Sequence, residues 1–367
     1  MAPDSGRFPM LTPIMSPTRR MPAEWELHAA TWLAWPAHEP DWPNKFGPIP
    51  WVYAEIVRAL ARHERVDVLC HDAHVREQAR LMLTAHAVNL DNVRLHVART
   101  DRVWVRDSGP TGVYRPDGSV ELVQWGFNAW AKYDNYLHDM RVPEHVAGFA
   151  NLPVTRAQRA DGNGPLVLEG GGIDVNGRGR VLVTEEWLLT DIQVRNPGMM
   201  REDYERAFSE WLGCPETIWL GEGCVGDDTH GHVDDIARFT SADTVMLAVE
   251  RDPADHENHR RSLDNLRRLQ RVGGSAGPLR VVELPYPRAV MMDGVRLPAS
   301  YANFYVANGV VIVPTFNDPN DRIALNLIAE CFPGRSIVGI HAVDLVWGLG
   351  TLHCLTQQQP AARVPRL

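Results

Sequence analysis

Cysteine is scarce in this 367-residue chain: Cys70, Cys214, Cys224, Cys331 and Cys354 are odd in number, far apart and contain no Cys-x-x-Cys pair. That excludes a disulfide framework and a zinc ribbon and fits a reducing, cytoplasmic setting. Long apolar runs are missing as well; stretches such as Gly309–Pro314 fall far short of the ~20 residues a membrane-spanning helix needs. There is no excess of basic residues. The net charge of −9 argues against nucleic acid and anionic membranes as partners and is compatible with a cationic small substrate. Residues 1–20 carry Arg7, Arg19 and Arg20 among prolines but no apolar stretch of secretory length, so they read as a flexible leader. No Ser/Gly linker, low-complexity tract or charge run divides the remainder, and 21–367 is expected to be one domain.

What is present is a repeat. Apolar residues at three-to-four spacing predict helices over 51–64, 73–87, 201–212, 255–272 and 321–331. β-branched runs follow them at 65–69, 93–97, 216–220, 279–284 and 336–340. Hairpins are expected at 173–183 and 304–314, turning on Asn176-Gly177 and Asn308-Gly309, a pair suited to turns in which both residues take positive φ. A third is expected within 232–250, turning near Ser241–Asp243. Helix, strand and hairpin recur roughly every 50–70 residues, which points to radial or solenoid symmetry rather than a doubly wound sheet. The expected fold is α/β: about five units closing into a ring of small mixed sheets, helices outside, with loops from every unit meeting at one central site.

Four segments carry chemistry at strand ends. Arg106-Asp107-Ser108-Gly-Pro reads alone as a turn with a surface ion pair. Leu168-Glu169-Gly-Gly-Gly172 follows an apolar run, so Glu169 is expected to be at least partly buried and in need of a partner or a role; its glycines allow close approach of backbone and ligand. In Asp227-Asp-Thr-His230-Gly-His232-Val-Asp234-Asp235, a strand starting at His232 would place Asp234 on the same face and turn Asp235 the other way. That run is also open to an acidic-loop reading and, as His-x-His-x-Asp, to a metal reading. Lastly, Cys354 follows what reads as a glycine-flanked apolar strand, beside His353 and ahead of a Gln run, where a thiol can meet a small electrophile. Together these are a Cys, a His and three carboxylates. Such carboxylates repel one another unless a cation sits between them, and a planar guanidinium presents paired N–H donors to them. Held so, its central carbon is an electrophile for a thiolate, whose pKa the same cation helps depress.

Met21-Pro-Ala-Glu-Trp through Ala34-Trp-Pro36, Val105-Arg-Asp-Ser-Gly-Pro-Thr111, Gln124-Trp-Gly-Phe-Asn-Ala-Trp130, Leu168–Gly172, Gly231-His-Val-Asp234, Pro314-Thr-Phe-Asn-Asp318 and His353–Pro360 resemble, in order, the agmatine deiminase or Porphyromonas-type peptidylarginine deiminase family. The resemblance implies the guanidino-group-modifying superfamily and its five-bladed α/β-propeller of ββαβ repeats, with pseudo-fivefold symmetry and a central site. It implies Cys354 as nucleophile, His232 as general acid/base, Asp107 and Asp234 as the pair gripping the guanidinium, and Glu169 as the carboxylate orienting His232 and the substrate. Trp104, Trp130 and Gly350 are expected to line the pocket. No metal, cofactor, nucleic acid or membrane is implied, and a homodimer is the default assembly. The expected reaction is hydrolysis of agmatine to N-carbamoylputrescine and ammonia through a covalent intermediate on Cys354. Another alkylguanidine, free arginine or peptidyl-arginine is the alternative substrate, and free arginine would call for a cation such as Arg106 or Lys132 in the pocket. An amidinotransferase, a non-catalytic binding protein and a metal hydrolase are the remaining alternatives.

The chain departs from the family pattern in three loops: Gly348-Leu349-Gly350-Thr351, Trp130-Ala131-Lys132 and Thr229-His230. A left-handed backbone at Leu349 would cost about 1–3 kcal/mol, so the first loop is expected to have changed shape.

Overall fold

A computed structural model describes residues 19–273 and 277–363. Residues 1–18, most of the expected leader, lie outside them. Arg19 and Arg20 are not part of any loose segment: the Arg20 backbone bonds reciprocally with Tyr114, and Arg19 Nε reaches Glu121 at 3.2 Å.

The described chain builds five small mixed sheets on one plan. In each, two antiparallel strands are followed, across a helix, by a third strand parallel to the second. Thr111–Tyr114, Val120–Gln124 and Val154–Arg156 form one such sheet, with Val142–Ala150 as the crossover. Asp174–Val175, Arg180–Thr184 and Glu216–Leu220 use Arg201–Leu212. Ala237–Phe239, Thr244–Val249 and Arg280–Pro285 use His256–Gln270. Tyr305–Val306, Val310–Thr315 and Ser336–His341 use Asn320–Cys331. The remaining sheet joins the two ends of the described chain. Gln357–Pro360 pairs antiparallel with His28–Ala34, which runs parallel to Val66–Cys70 after the helix Ile49–Leu60; Ala73–Ala85 then leads to a fourth strand, Val93–Val97.

Parallel neighbours require such helical crossovers, and each helix offers one apolar stripe to the sheet beneath. In Ile49–Leu60 that stripe is Ile49, Tyr53, Ile56, Val57 and Leu60, all fully buried. Strand interiors such as Val310–Val313 are apolar without alternation because both their faces are covered. No described helix is long and apolar enough to cross a membrane.

The Asn-Gly turns differ from expectation. Gly177 takes φ +68° but Asn176 does not take a positive φ; its side-chain oxygen instead accepts from the N–H groups of Arg178 and Arg180. Neither Asn308 nor Gly309 adopts positive φ. The Asn308 side chain pairs with both backbone groups of His28 in the neighbouring sheet, so tertiary bonding set this turn. The segment before Cys354 is also not a strand. Leu345–Gly348 and Leu352–Leu355 are single helical turns joined by Leu349, which keeps the left-handed backbone (φ +69°) instead of remodelling the loop.

Candidate active site

Five short segments, each just ahead of the first strand of a sheet, supply the polar groups that meet. Asp107 rides on the turn Val105–Ser108 before Thr111; Glu169 precedes the turn Gly170–Gly172 before Asp174. His232 and Asp234 belong to the turn before Ala237, Asn303 stands before Tyr305, and Cys354 lies on the turn before Gln357. A cavity of about 350 Å³ reaches Cys354 and Asp107 and is walled by Trp104, Trp130 and Gly350. Glu169, His232 and Asp234 are fully buried.

Gly171 marks the point of convergence. A Cβ there would lie 2.6 Å from His232 Nδ1, 2.8 Å from Asp107 Oδ1 and 3.1 Å from Asp234 Oδ2, while its N–H donates to Asp107 Oδ1 at 2.9 Å. Only glycine fits. Gly171→Ala is therefore expected to displace these groups and lower kcat/KM by on the order of 10²-fold, as misplacement by about an ångström does; steady-state assays beside a thermal melt would separate this from unfolding.

The ionisable groups are held in different states. Burial would raise the pKa of Glu169, but Arg195 (Nε 3.0 Å) and His232 hold it down at about 2, and the Trp187 indole N–H donates to it at 2.7 Å. Burial opposes charge on His232, yet Asp107 at 3.8 Å and Glu169 at 3.5 Å overcome it and push its pKa up to about 9. Nδ1 faces Asp107 and Nε2 faces Glu169, both at the long end of ion-pair distance. Burial lifts Asp107 to about 6, against the pull of His232. Asp234 is lowered despite burial because His353 Nδ1 lies 2.7 Å from its Oδ2, and its Oδ1 has no partner. Burial and then Asp234, Asp235 and Asp107 push the Cys354 thiol well up; its Sγ lies 3.5 Å from Asp234 Oδ2.

Arginines sort the carboxylates. Glu169 has Arg195, and Glu24 has Arg106 and Arg238. Asp107 and Asp234 have no arginine or lysine within ion-pair distance among the described residues.

Of the expected site residues, Cys354, Asp107, Trp104, Trp130 and Gly350 line the cavity, whereas His232 and Asp234 lie buried beside Gly171 and Glu169 lies against His232; Trp130 donates its indole N–H to Asp107 at 2.9 Å, and Trp104 packs on Gly350. Several local readings need correction. His232 caps a turn of 3-10 helix instead of starting a strand, so Asp235 does not face away; Asp234, Asp235 and Cys354 bring ligand atoms within 4.8 Å of one another. His230 turns to Thr190 (3.1 Å) and Glu186, so the His-x-His-x-Asp run does not converge on a common point. Arg106 is buried against Glu24 and Gln358, and Lys132 pairs with Asp228; neither lines the cavity. Asn303, Asp235, Trp187, Arg195 and Glu24 went unrecognised. Asn303 had one legible signal, its place ahead of the fifth hairpin, where the other four units carry their reactive groups.

A sequence model of the family described as Porphyromonas-type peptidyl-arginine deiminase matches residues 20–360. The chain is 36% identical over 363 residues to the agmatine deiminase of Pseudomonas aeruginosa (strain LESB58), covering 94% of this chain and 96% of that protein. Among solved structures, the agmatine deiminase of Enterococcus faecalis superposes with TM-score 0.85 at 28% identity, covering 94% of this chain and 97% of that one. The agmatine deiminase of C. jejuni with substrate bound gives TM-score 0.82 at 26% identity, covering 94% and 97%.

Proposed function

The chain belongs to the Porphyromonas-type peptidyl-arginine deiminase family and is an amidine-hydrolysing enzyme, and on that premise we propose that it converts agmatine and water to N-carbamoylputrescine and ammonia through a covalent intermediate on Cys354. The observation that carries this is the pair Asp107 and Asp234, buried, without arginine partners and within reach of Cys354 and His232. A guanidinium bridging them compensates the burial, and the lesser repulsion from Asp234 and Glu169, that raise Asp107, and places its carbon beside Sγ.

In this reading the bound guanidinium lowers the pKa of the Cys354 thiol, whose proton leaves to solvent, and the thiolate adds to the amidino carbon. His232, protonated at neutral pH, gives its proton to the departing nitrogen as the C–N bond breaks and ammonia leaves. The resulting thiouronium is attacked by water that returns one proton to His232; as the C–S bond breaks the remaining hydroxyl proton passes to the leaving sulfur, restoring the thiol, and the ureido product departs. Glu169, fixed by Arg195 and Trp187, holds the imidazole throughout. Each step draws on the chain's own groups and water.

Asp41 and Asp228 line the same cavity, each already paired with a cation, Arg102 and Lys132; Asp41 Oδ2, buried without a partner, supports a substrate with a cationic tail. Free arginine is the second reading, because Arg102 also lines the cavity. Its guanidinium, however, is engaged by Asp41 and by Asn135 (3.1 Å) and covers the Tyr133 ring. Ammonia and ureido release from agmatine, arginine, methylguanidine and an arginyl peptide is the test, with agmatine expected to give the largest kcat/KM.

The pH dependence follows from the free-enzyme groups. Below about 6 Asp107 is protonated and loses its grip on the cation; above about 9 His232 loses the proton it must donate. The expected kcat/KM profile is a bell falling outside those limits. Asp107→Asn should lower the whole curve and abolish the acid limb; an acid limb that stays in place would contradict the assignment.

The five like sheets, preceded by the segments that carry Asp107, Glu169, His232, Asn303 and Cys354, support a five-bladed α/β-propeller with pseudo-fivefold symmetry as a single domain from residue 21. Five unpaired cysteines support a reducing, cytoplasmic location, and a homodimer is the assembly implied by family resemblance.

A further inference from the structure

Asn303 touches Sγ of Cys354 and has no part in the reaction sequence above. It is fully buried. Its Oδ1 accepts from the N–H groups of His353 (3.0 Å) and Cys354 (3.4 Å) and from the Thr351 hydroxyl (2.7 Å). Backbone N–H groups can only donate, so the oxygen end of the amide is fixed; flipping it would press NH2 against two donors. Nδ2 must then face the other way, where it donates to Cys354 Sγ at 3.1 Å and to Asp235 Oδ1 at 3.0 Å.

The other polar groups around the sulfur disfavour its negative charge. Asp107 and Asp234 face it, with Asp234 Oδ2 at 3.5 Å. The His353 ring is turned to Asp234 and Glu24, and His232 faces Asp107 and Glu169. Until a cationic substrate arrives, the Asn303 amide is the described side-chain donor aimed at Sγ.

We propose that Asn303 is a catalytic residue whose Nδ2–H hydrogen bond stabilises and aims the Cys354 thiolate, with Asp235 holding the second amide hydrogen and the 351–354 turn holding the oxygen. Asp235 suits this part because burial beside Asp234 raises it well above the ordinary carboxylate range, so it accepts from Asn303 without setting another full charge against the sulfur. This rests on the reading of Cys354 as the nucleophile.

The test is the pH dependence of Cys354 alkylation by iodoacetamide, read by peptide mass, in the full-length enzyme and its variants. Asn303→Asp keeps the oxygen acceptor and removes the donor; Asn303→Ser serves if the added carboxylate prevents folding. In the folded variant the midpoint of the alkylation profile is expected to rise by about one to two pH units, the range for a lost hydrogen bond to a charged group. kcat should fall at least about tenfold with KM for agmatine little changed. Thr351→Val, which removes one bond to Oδ1 and none to Sγ, should titrate like the parent. A midpoint in the Asn303 variants within about 0.3 unit of the parent overturns the proposal. Full activity in Cys354→Ser would instead overturn the nucleophile assignment, whereas an inactive Cys354→Ser with unshifted Asn303 variants overturns this inference alone.

Discussion

Cys354→Ala is expected to lower kcat/KM for agmatine by at least roughly 10⁴-fold, because removing the nucleophile of a covalent mechanism leaves only binding and electrostatic effects. The fold should survive. Cys354 lies on a single helical turn held by Asn303 and by the bond from Leu355 N–H to Thr351, and alanine opens a void of only one sulfur atom. Burial and the carboxylates around it keep the parent thiol neutral, so removing it changes no charge in the folded protein at neutral pH. The variant should therefore melt near the parent temperature and still bind agmatine between Asp107 and Asp234. Retained turnover would show that sulfur forms no bond to substrate.

The second large effect is expected at His232. His232→Gln should cost roughly 10²–10⁴-fold in kcat, the usual share of proton transfer, and should flatten the alkaline limb near pH 9 that the imidazolium imposes. Both half-reactions depend on this ring: protonated, it assists loss of ammonia; neutral, it activates water. Glutamine preserves the packing edge-on against Trp187 (5.6 Å between rings) but transfers no proton. The second half-reaction suffers most, since a thiouronium awaits an activated water, so this variant should accumulate covalent enzyme where the parent does not. A wild-type alkaline limb in His232→Gln would assign that titration elsewhere.

Much of this was legible in the amino-acid sequence where a signal spans several turns or strands. Arg201–Leu212, Glu216–Leu220 and Val93–Val97 fall where the sequence pattern placed them, the helix because one apolar face packs on its sheet and the two β-branched runs because each pairs along a sheet edge. Four of the helix-and-strand units fall where they were expected; the fifth, in which Val142–Ala150 crosses from Val120–Gln124 to Val154–Arg156, went unread, and Ala73–Ala85 instead adds a fourth strand to the sheet that joins the two ends of the described chain. Short elements were misread. Val105–Ser108, Val233–Asp235 and Leu352–Leu355 are three or four residues long, too brief for any helical period, so His232 was assigned to a strand it only precedes and Cys354 was placed after a strand where the chain forms helical turns. The facing of Asp235 was wrong for the same reason: strand alternation does not hold in a 3-10 turn. Turn chemistry failed at Asn308, whose side chain found His28 in another sheet. Asn303 escaped because an amide has no charge and announces itself only through geometry, namely two backbone donors on one end and a sulfur on the other.

The central claim is a carbon–sulfur bond between Cys354 and the amidino carbon. Its most direct test is the intact mass of His232→Gln quenched during turnover of agmatine, followed by peptide mapping. The predicted result is a protein heavier by agmatine less ammonia, with the added mass on the peptide bearing Cys354 and absent from the Cys354→Ala double variant. A quenched enzyme of unmodified mass throughout a slow, ongoing turnover, or the adduct on any other residue, would contradict it.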